Sequence, residues 1–179
     1  MNIELLQQLC EASAVSGDEQ EVRTLLTNAL ESSVDEITFD GLGSFVARKG
    51  NRGPKVAVVG HMDEVGFMIS QIKPDGTFRV VELGGWNPLV VSSQAFTLQL
   101  QDGRTIPAIS GSIPPHLTRG GNAPGVPAIA DIIFDAGFAN YDEAWGFGVR
   151  PGDVLIPKNE TILTANGKNV ISKAWDNRF

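Results

Sequence analysis

Residues 56–60, Val-Ala-Val-Val-Gly, form an unbroken apolar run that ends in His61, and a carboxylate, Asp63, follows two residues later. Apolar residues without alternation are the pattern of a strand covered on both faces. The spacing therefore predicts a buried strand over 55–60 within an α/β domain. In open α/β sheets ligands sit beyond the C-terminal ends of the strands, which is where the histidine falls. Neutral imidazole binds metal ions, and a nearby carboxylate fixes its tautomer. His61 and Asp63 thus read as a metal ligand and its orienting partner. The competing reading is a satisfied polar histidine. Gly60 and Gly66 bracket the segment where a sharp turn or close backbone approach is useful, and they favour the ligand.

Before this run, Ile3, Leu5, Leu6 and Leu9 recur at helical spacing over 3–12. Ser16-Gly-Asp-Glu19 has the form of a capping box. It predicts a second helix reaching about Ser32 and burying Val22, Leu25, Leu26 and Ala29. Ile37–Phe39 and Phe45–Ala47 read as a strand pair joined by the turn Asp40-Gly-Leu-Gly43. Helices followed by strands, one of them uniformly apolar, suggest an α/β domain with a covered sheet.

From about Gly66 the character changes. Pro74-Asp-Gly76 and Asp102-Gly103 are tight-turn signals between β-branched or alternating segments. Strands are expected at 65–72, 77–83, 95–101, 104–110, 128–134, 153–157 and 160–164, with one helix near 141–146. Many short strands joined by Gly and Pro imply a small β-barrel or sandwich over roughly 68–165. Lys168-Asn-Val-Ile-Ser-Lys-Ala-Trp175 would then return the chain to the first domain.

Several chemistries are disfavoured. A formal charge of −7 argues against nucleic-acid binding. No apolar run approaches the ~20 residues that span a bilayer. The opening Met-Asn-Ile-Glu-Leu-Leu lacks a basic start and an apolar signal core. The single Cys10, in a Leu-rich helix, reads as a buried thiol and fits a reducing cytoplasm. No Gly-x-Ser-x-Gly elbow supports a serine hydrolase. Asp63 and Glu64 are adjacent on an extended segment, so they face opposite ways and cannot flank a sugar as a glycosidase pair. Phosphate-loop and dinucleotide fingerprints are absent.

Asp176, in Trp-Asp-Asn-Arg, follows an apolar lead-in. It reads as a helix N-cap or as a second metal-facing carboxylate, and the two roles are compatible. His116 follows Pro114-Pro115 and reads as a loop residue, either exposed or reaching toward an active site.

Five stretches, GHMDEVGFMIS (60–70), IKPDGTFRVVELGGWNP (72–88), SGSIPPHLTRG (110–120), FGVRPGD (147–153) and ISKAWDNRF (171–179), occur in this order. Together they resemble the glutamyl aminopeptidase and tetrahedral (TET) aminopeptidase family of dinuclear metallopeptidases. The resemblance runs through essentially the whole chain, which is similar to the N-terminal half of such an enzyme. It implies an incomplete metallopeptidase α/β/α domain of residues 1–67 with 166–179. It also implies an inserted all-β, barrel-like domain over 68–165 that makes contacts in homo-oligomers. His61 resembles the histidine ligand of one of two divalent metals, Asp63 the carboxylate that orients it, and Asp176 the aspartate bridging both. The family's paired glutamates, a further aspartate and a final histidine correspond to positions beyond Phe179.

The activity implied is release of N-terminal residues from peptides by a metal-activated water. Closeness to the glutamyl branch points to Glu or Asp, with Arg119 as a candidate for the acidic side chain and His116 as a second substrate-facing candidate. Imidazole and carboxylate ligands suit zinc, cobalt or manganese. The 179 residues alone are expected to lack activity and to expose the apolar run at Val56–Val59. The alternative is a non-catalytic assembly or binding module built on the β-domain.

Overall fold

The computed structural model describes residues 2–111, 127–176 and 178. His116 and Arg119 lie outside these residues. The chain divides into two compact units, Met1–Glu64 with Asn159–Phe179, and Val65–Lys158. Among the described residues no helix is long and apolar enough to cross a membrane.

In the first unit α1 (Ile3–Glu11) starts at Asn2, whose side-chain oxygen accepts the Leu5 N–H at 3.2 Å. It buries Leu6, Leu9 and the Cys10 thiol. The second helix, α2 (Gln20–Leu30), buries Val22, and Leu25 and Leu26 pack beside it; Ala29 is exposed, contrary to expectation. Leu9, Ala12, Ala14 and Val22 form the small core of this unit, with Met62 against them.

The capping box does not form. Glu19 accepts the Gly17 N–H at 2.7 Å, and the Ser16 hydroxyl turns away from α2 to donate to Asp63. A capping box would have used the Ser16 oxygen to accept a local backbone N–H; here the hydroxyl instead donates to a carboxylate 47 residues away, a charge-assisted bond.

Strands β1 (Glu36–Phe39) and β2 (Phe45–Arg48) pair antiparallel from Glu36 opposite Arg48 to Phe39 opposite Phe45. Asp40 closes their turn by accepting the N–H groups of Leu42 and Ser44, each at 2.9 Å.

The strand expected at 55–60 is not formed. Residues 55–60 have no ladder partner, and Val56, Val58 and Val59 are 85%, 98% and 89% exposed. A strand is stable only when neighbours take up its N–H and C=O groups and cover its faces. Among the described residues β1 and β2 pair with each other instead.

The second unit is a closed barrel. Its strands are β3 (Gly66–Ile72), β4 (Phe78–Leu83), β5 (Ala95–Gln99), β6 (Thr105–Ser110), β7 (Phe134–Asp135) and β8 (Val154–Pro157). All pairings are antiparallel in the order β3-β4-β7-β6-β5-β8, and closure removes the free sheet edges. Inward-facing residues alternate along the strands, so Phe67, Phe96 and Phe134 meet at the centre, with ring centroids 4.8–5.8 Å apart. Trp86 stacks on Phe67 at 4.7 Å and donates its indole N–H to the Gly66 carbonyl at 3.0 Å. The helix expected near 141–146 is α3 (Tyr141–Phe147), capped by Asn140 and ended by Gly148 at φ 118°. The strand expected at 128–134 is reduced to β7, because Ile129–Asp131 forms a 3₁₀ turn.

Residues 159–165 belong to the first unit rather than to the β-domain expected over 68–165. Strand β9 (Ile162–Leu163) pairs with β10 (Val170–Ile171) across a short turn, and the Thr161 N–H donates to Glu11 at 2.7 Å. The barrel closes without this segment.

Candidate metal centre

The segment after 55–60 is extended and is pinned to the first unit by the Glu64 N–H, which donates to the Ala14 carbonyl at 2.7 Å. Successive side chains on an extended segment face opposite ways. Asp63 therefore turns outward toward His61, whereas Glu64 turns inward and is buried. The segment after β10 brings Asp176, on a turn, to the same imidazole.

His61 Nδ1 lies 2.7 Å from Asp63 Oδ1, and its Nε2 lies 3.2 Å from Asp176 Oδ2. Asp63 in turn accepts the Ser16 hydroxyl. Ser16, Asp63, His61 and Asp176 thus form a continuous polar chain at the surface of the unit. Asp176 is the most exposed of the three titratable members.

The electrostatics follow from these contacts. The hydrogen bond to Asp63, then that to Asp176, raises the His61 pKa above its ordinary value. The Ser16 hydroxyl, then His61, holds the Asp63 carboxyl below the usual carboxylate range despite some desolvation. The arrangement stabilises a proton on the imidazole, and a divalent cation would replace that proton at Nε2.

Two donor atoms of one tetrahedral ion, each at ~2.0–2.1 Å, stand about 3.3 Å apart. The separation of His61 Nε2 and Asp176 Oδ2 fits that spacing. Asp63 on Nδ1 leaves Nε2 as the nitrogen free to face a metal. Among the described residues no group of three or more His, Cys, Asp or Glu side chains is placed to hold a metal ion. His61 and Asp176 would therefore supply part of a coordination sphere.

Sequence reasoning passed over Ser16, whose local pattern signalled a helix cap, and three charged residues behind the site. Lys173 Nζ lies 2.6 Å from Glu64 Oε1, and Arg178 Nη1 lies 3.4 Å from the same oxygen. Burial pushes the Glu64 carboxyl up and the Lys173 ammonium down, and their mutual attraction opposes both shifts. The available signal was the cation-rich motif around Asp176, Lys173-Ala-Trp-Asp-Asn-Arg178, on a segment expected to return to the first domain. His116 and Arg119, the other two candidates, lie outside the described residues.

Comparison with known proteins agrees with the motifs. Residues 43–179 match the M42 glutamyl aminopeptidase family. The chain is 54% identical over 178 residues to a glutamyl aminopeptidase of Lactococcus lactis subsp. cremoris (strain MG1363), covering 97% of this chain and 50% of that protein. It is 35% identical over 153 residues to a lysyl aminopeptidase of Pyrococcus furiosus, covering 84% of this chain and 44% of that protein. Among solved structures it superposes on the TET1 peptidase of Pyrococcus horikoshii with a TM-score of 0.86 at 25% identity, covering 98% of this chain and 52% of the other. That peptidase is described as assembling into a tetrahedron or a large octahedral shell. The chain spans about half the length of the curated relatives it matches.

Proposed function

This chain belongs to the M42 glutamyl aminopeptidase family, and from that premise we propose that it carries part of the active site of a metal-dependent aminopeptidase. His61 and Asp176 are the proposed ligands, two divalent ions the proposed cofactors, and Asp63 the residue that holds the imidazole. The observation that supports this most is the 3.2 Å approach of His61 Nε2 to Asp176 Oδ2, residues 115 positions apart.

In this reading divalent metals held by His61 and Asp176 would supply Lewis-acid polarisation of a water and counter-charge for an oxyanion at the first peptide carbonyl. The chain's own residues fix geometry and protonation. Asp63, ionised and anchored by Ser16, keeps the Nδ1 proton on its own side of the ring. Nε2 would then be the ring nitrogen that holds an ion. Asp176, largely exposed, would hold an ion through its carboxylate.

The proposed substrates are peptides with Glu or Asp at the N-terminus. The greater identity to the protein named glutamyl aminopeptidase than to the one named lysyl aminopeptidase supports this choice. Arg119 is the proposed contact for the acidic side chain and His116 a second substrate contact, on sequence grounds alone. The barrel unit is the proposed site of homo-oligomer contacts, in line with the assembly described for the Pyrococcus horikoshii peptidase.

The test is metal titration followed by assay. Zinc, cobalt or manganese should bind the 179-residue chain weakly, and binding should vanish in His61→Ala. Release of Glu from a Glu-peptide should be absent from these residues alone, because the general-base glutamate of the family is not among them. Activity should appear when a polypeptide covering the other half of the relatives' length is supplied. Metal binding unaffected by His61→Ala would sink the assignment in favour of a non-catalytic assembly module.

A further inference from the structure

Glu64 and Asp63 are neighbours in the chain, but only Asp63 belongs to the surface array. The Glu64 side chain is 5% exposed and meets two cations at one oxygen, Lys173 at 2.6 Å and Arg178 at 3.4 Å. The Arg178 side chain is fully enclosed. Its guanidinium also donates to the carbonyls of Leu9 at 3.0 Å, Ala12 at 2.8 Å, Ala14 at 3.2 Å and Met62 at 3.1 Å. Leu9 and Ala12 stand at the C-terminal end of α1, where carbonyls have no intrahelical partner and a cation complements the helix dipole. Arg178 therefore ties the end of α1, the turn before α2 and the His61–Glu64 segment to the segment that carries Asp176.

Asp176 sits between the two anchors, three residues after Lys173 and two before Arg178. The intervening Ala174 has φ 57°, in the left-handed region that a residue with a Cβ adopts at a cost. Such a conformation persists where its surroundings over-determine it. Here the buried ends are fixed, and the reversal at Ala174 lets Lys173 point inward while Asp176 emerges at the surface. A buried ion cluster is weak evidence of stabilisation, because desolvation offsets much of the attraction. Its better-attested use is to select one arrangement of the chain.

We propose that Glu64, Lys173 and Arg178 are positioning residues whose shared buried contact sets Asp176 at coordinating distance from His61. This rests on the reading of His61 and Asp176 as metal ligands, although the geometric part can be decided without metal. Asp63 orients the His61 ring locally, but among the described residues no local contact sets the distance from that ring to the Asp176 segment. His61 and Asp176 are each two or three residues from the Glu64 carboxylate or one of its partners.

The experiment uses the isotope-labelled 179-residue chain. In the metal-free wild type, the His61 ring and the Asp176 β-protons should give a nuclear Overhauser contact. Manganese(II) chloride should broaden the signals of both residues together. Glu64→Gln removes the charge, and the paired change Glu64→Met with Lys173→Met removes both charges at similar volume. Both forms should keep the Ile37–Ala47 cross-strand contact of β1 and β2, and both should lose the His61–Asp176 contact. The manganese concentration that half-broadens Asp176 should rise at least tenfold, while His61 shifts less. The paired form decides the question if Glu64→Gln does not fold. Persistence of the His61–Asp176 contact in a folded variant overturns the proposal. Loss of the β1–β2 contact in both forms also overturns it, because the cluster would then be a general stability element. A wild type that shows the contact but no manganese broadening would defeat the metal assignment and leave the positioning claim to the metal-free comparison.

Discussion

His61 Nε2 and Asp176 Oδ2 are 3.2 Å apart although 115 positions separate the residues. The imidazole is held from its other side by Asp63 at 2.7 Å. One ring thus bridges two carboxylates from distant parts of the first unit, and this contact carries consequences for pH and stability.

His61 should titrate above the ordinary imidazole value of ~6.5, because Asp63 and then Asp176 stabilise its protonated form. A raised folded-state value means the contact favours folding fully below the unfolded value, and this contribution is lost as pH rises through the folded one. For Asp63, whose value is lowered, the contribution is present above ~3.9 and lost as pH falls through the depressed value. The side chain of His61 is more than half exposed, so the effect on stability is small. Proton NMR should resolve it, since the chain has two histidines. Asp176→Asn should lower the His61 midpoint. A midpoint at or below that of a free imidazole would contradict the contact.

Ala174 should tolerate glycine better than any larger residue. Removing the Cβ relieves roughly 1–2 kcal/mol of left-handed strain. The added freedom of the unfolded chain takes back about 0.5–1 kcal/mol. Ala174→Gly should therefore leave stability unchanged or raise it slightly. Ala174→Val places a β-branched residue at φ 57° and should cost on the order of 1–2 kcal/mol. Urea unfolding followed by probes within the first unit would check both signs.

Val58, 98% exposed beside Val56 and Val59, should drive self-association of the 179-residue chain. Val58→Lys should shift the population toward monomer in light scattering and change stability by no more than about 0.5 kcal/mol. An unchanged mass distribution would show that association, if present, uses another surface.

Phe67 touches Trp86, Phe96 and Phe134 and is fully buried. Phe67→Ala should cost ~3–5 kcal/mol, from lost transfer energy and the cavity left among three rings. Near-ultraviolet circular dichroism and thermal unfolding would report it. A loss below about 1 kcal/mol would mean that the barrel centre collapses around the gap.

Local pattern made much of the second unit legible. Alternation and the turn signals at Pro74-Asp-Gly76 and Asp102-Gly103 placed β3 to β6 to within a few residues, because pleat and turn chemistry repeat over two to four positions. The same reasoning failed at Ser16 and at 55–60. Ser16 had a local N–H to accept on paper and a distant carboxylate to donate to in space. The valines at 56, 58 and 59 had the composition of a core strand, but burial belongs to the neighbours a segment acquires.

The sequence by itself determined the family, through motifs from Gly60 to Phe179, and it singled out His61, Asp63 and Asp176 as chemically distinctive. It set Asp63 and Glu64 on opposite faces, but it could not show that Glu64 would meet Lys173 and Arg178. Nor could it show that a left-handed Ala174 would bring Asp176 out to meet His61. Periodicity and turn preference are properties of neighbouring residues. Ion pairing and ligand spacing are set by atoms that folding alone brings together, and those only the tertiary structure decided.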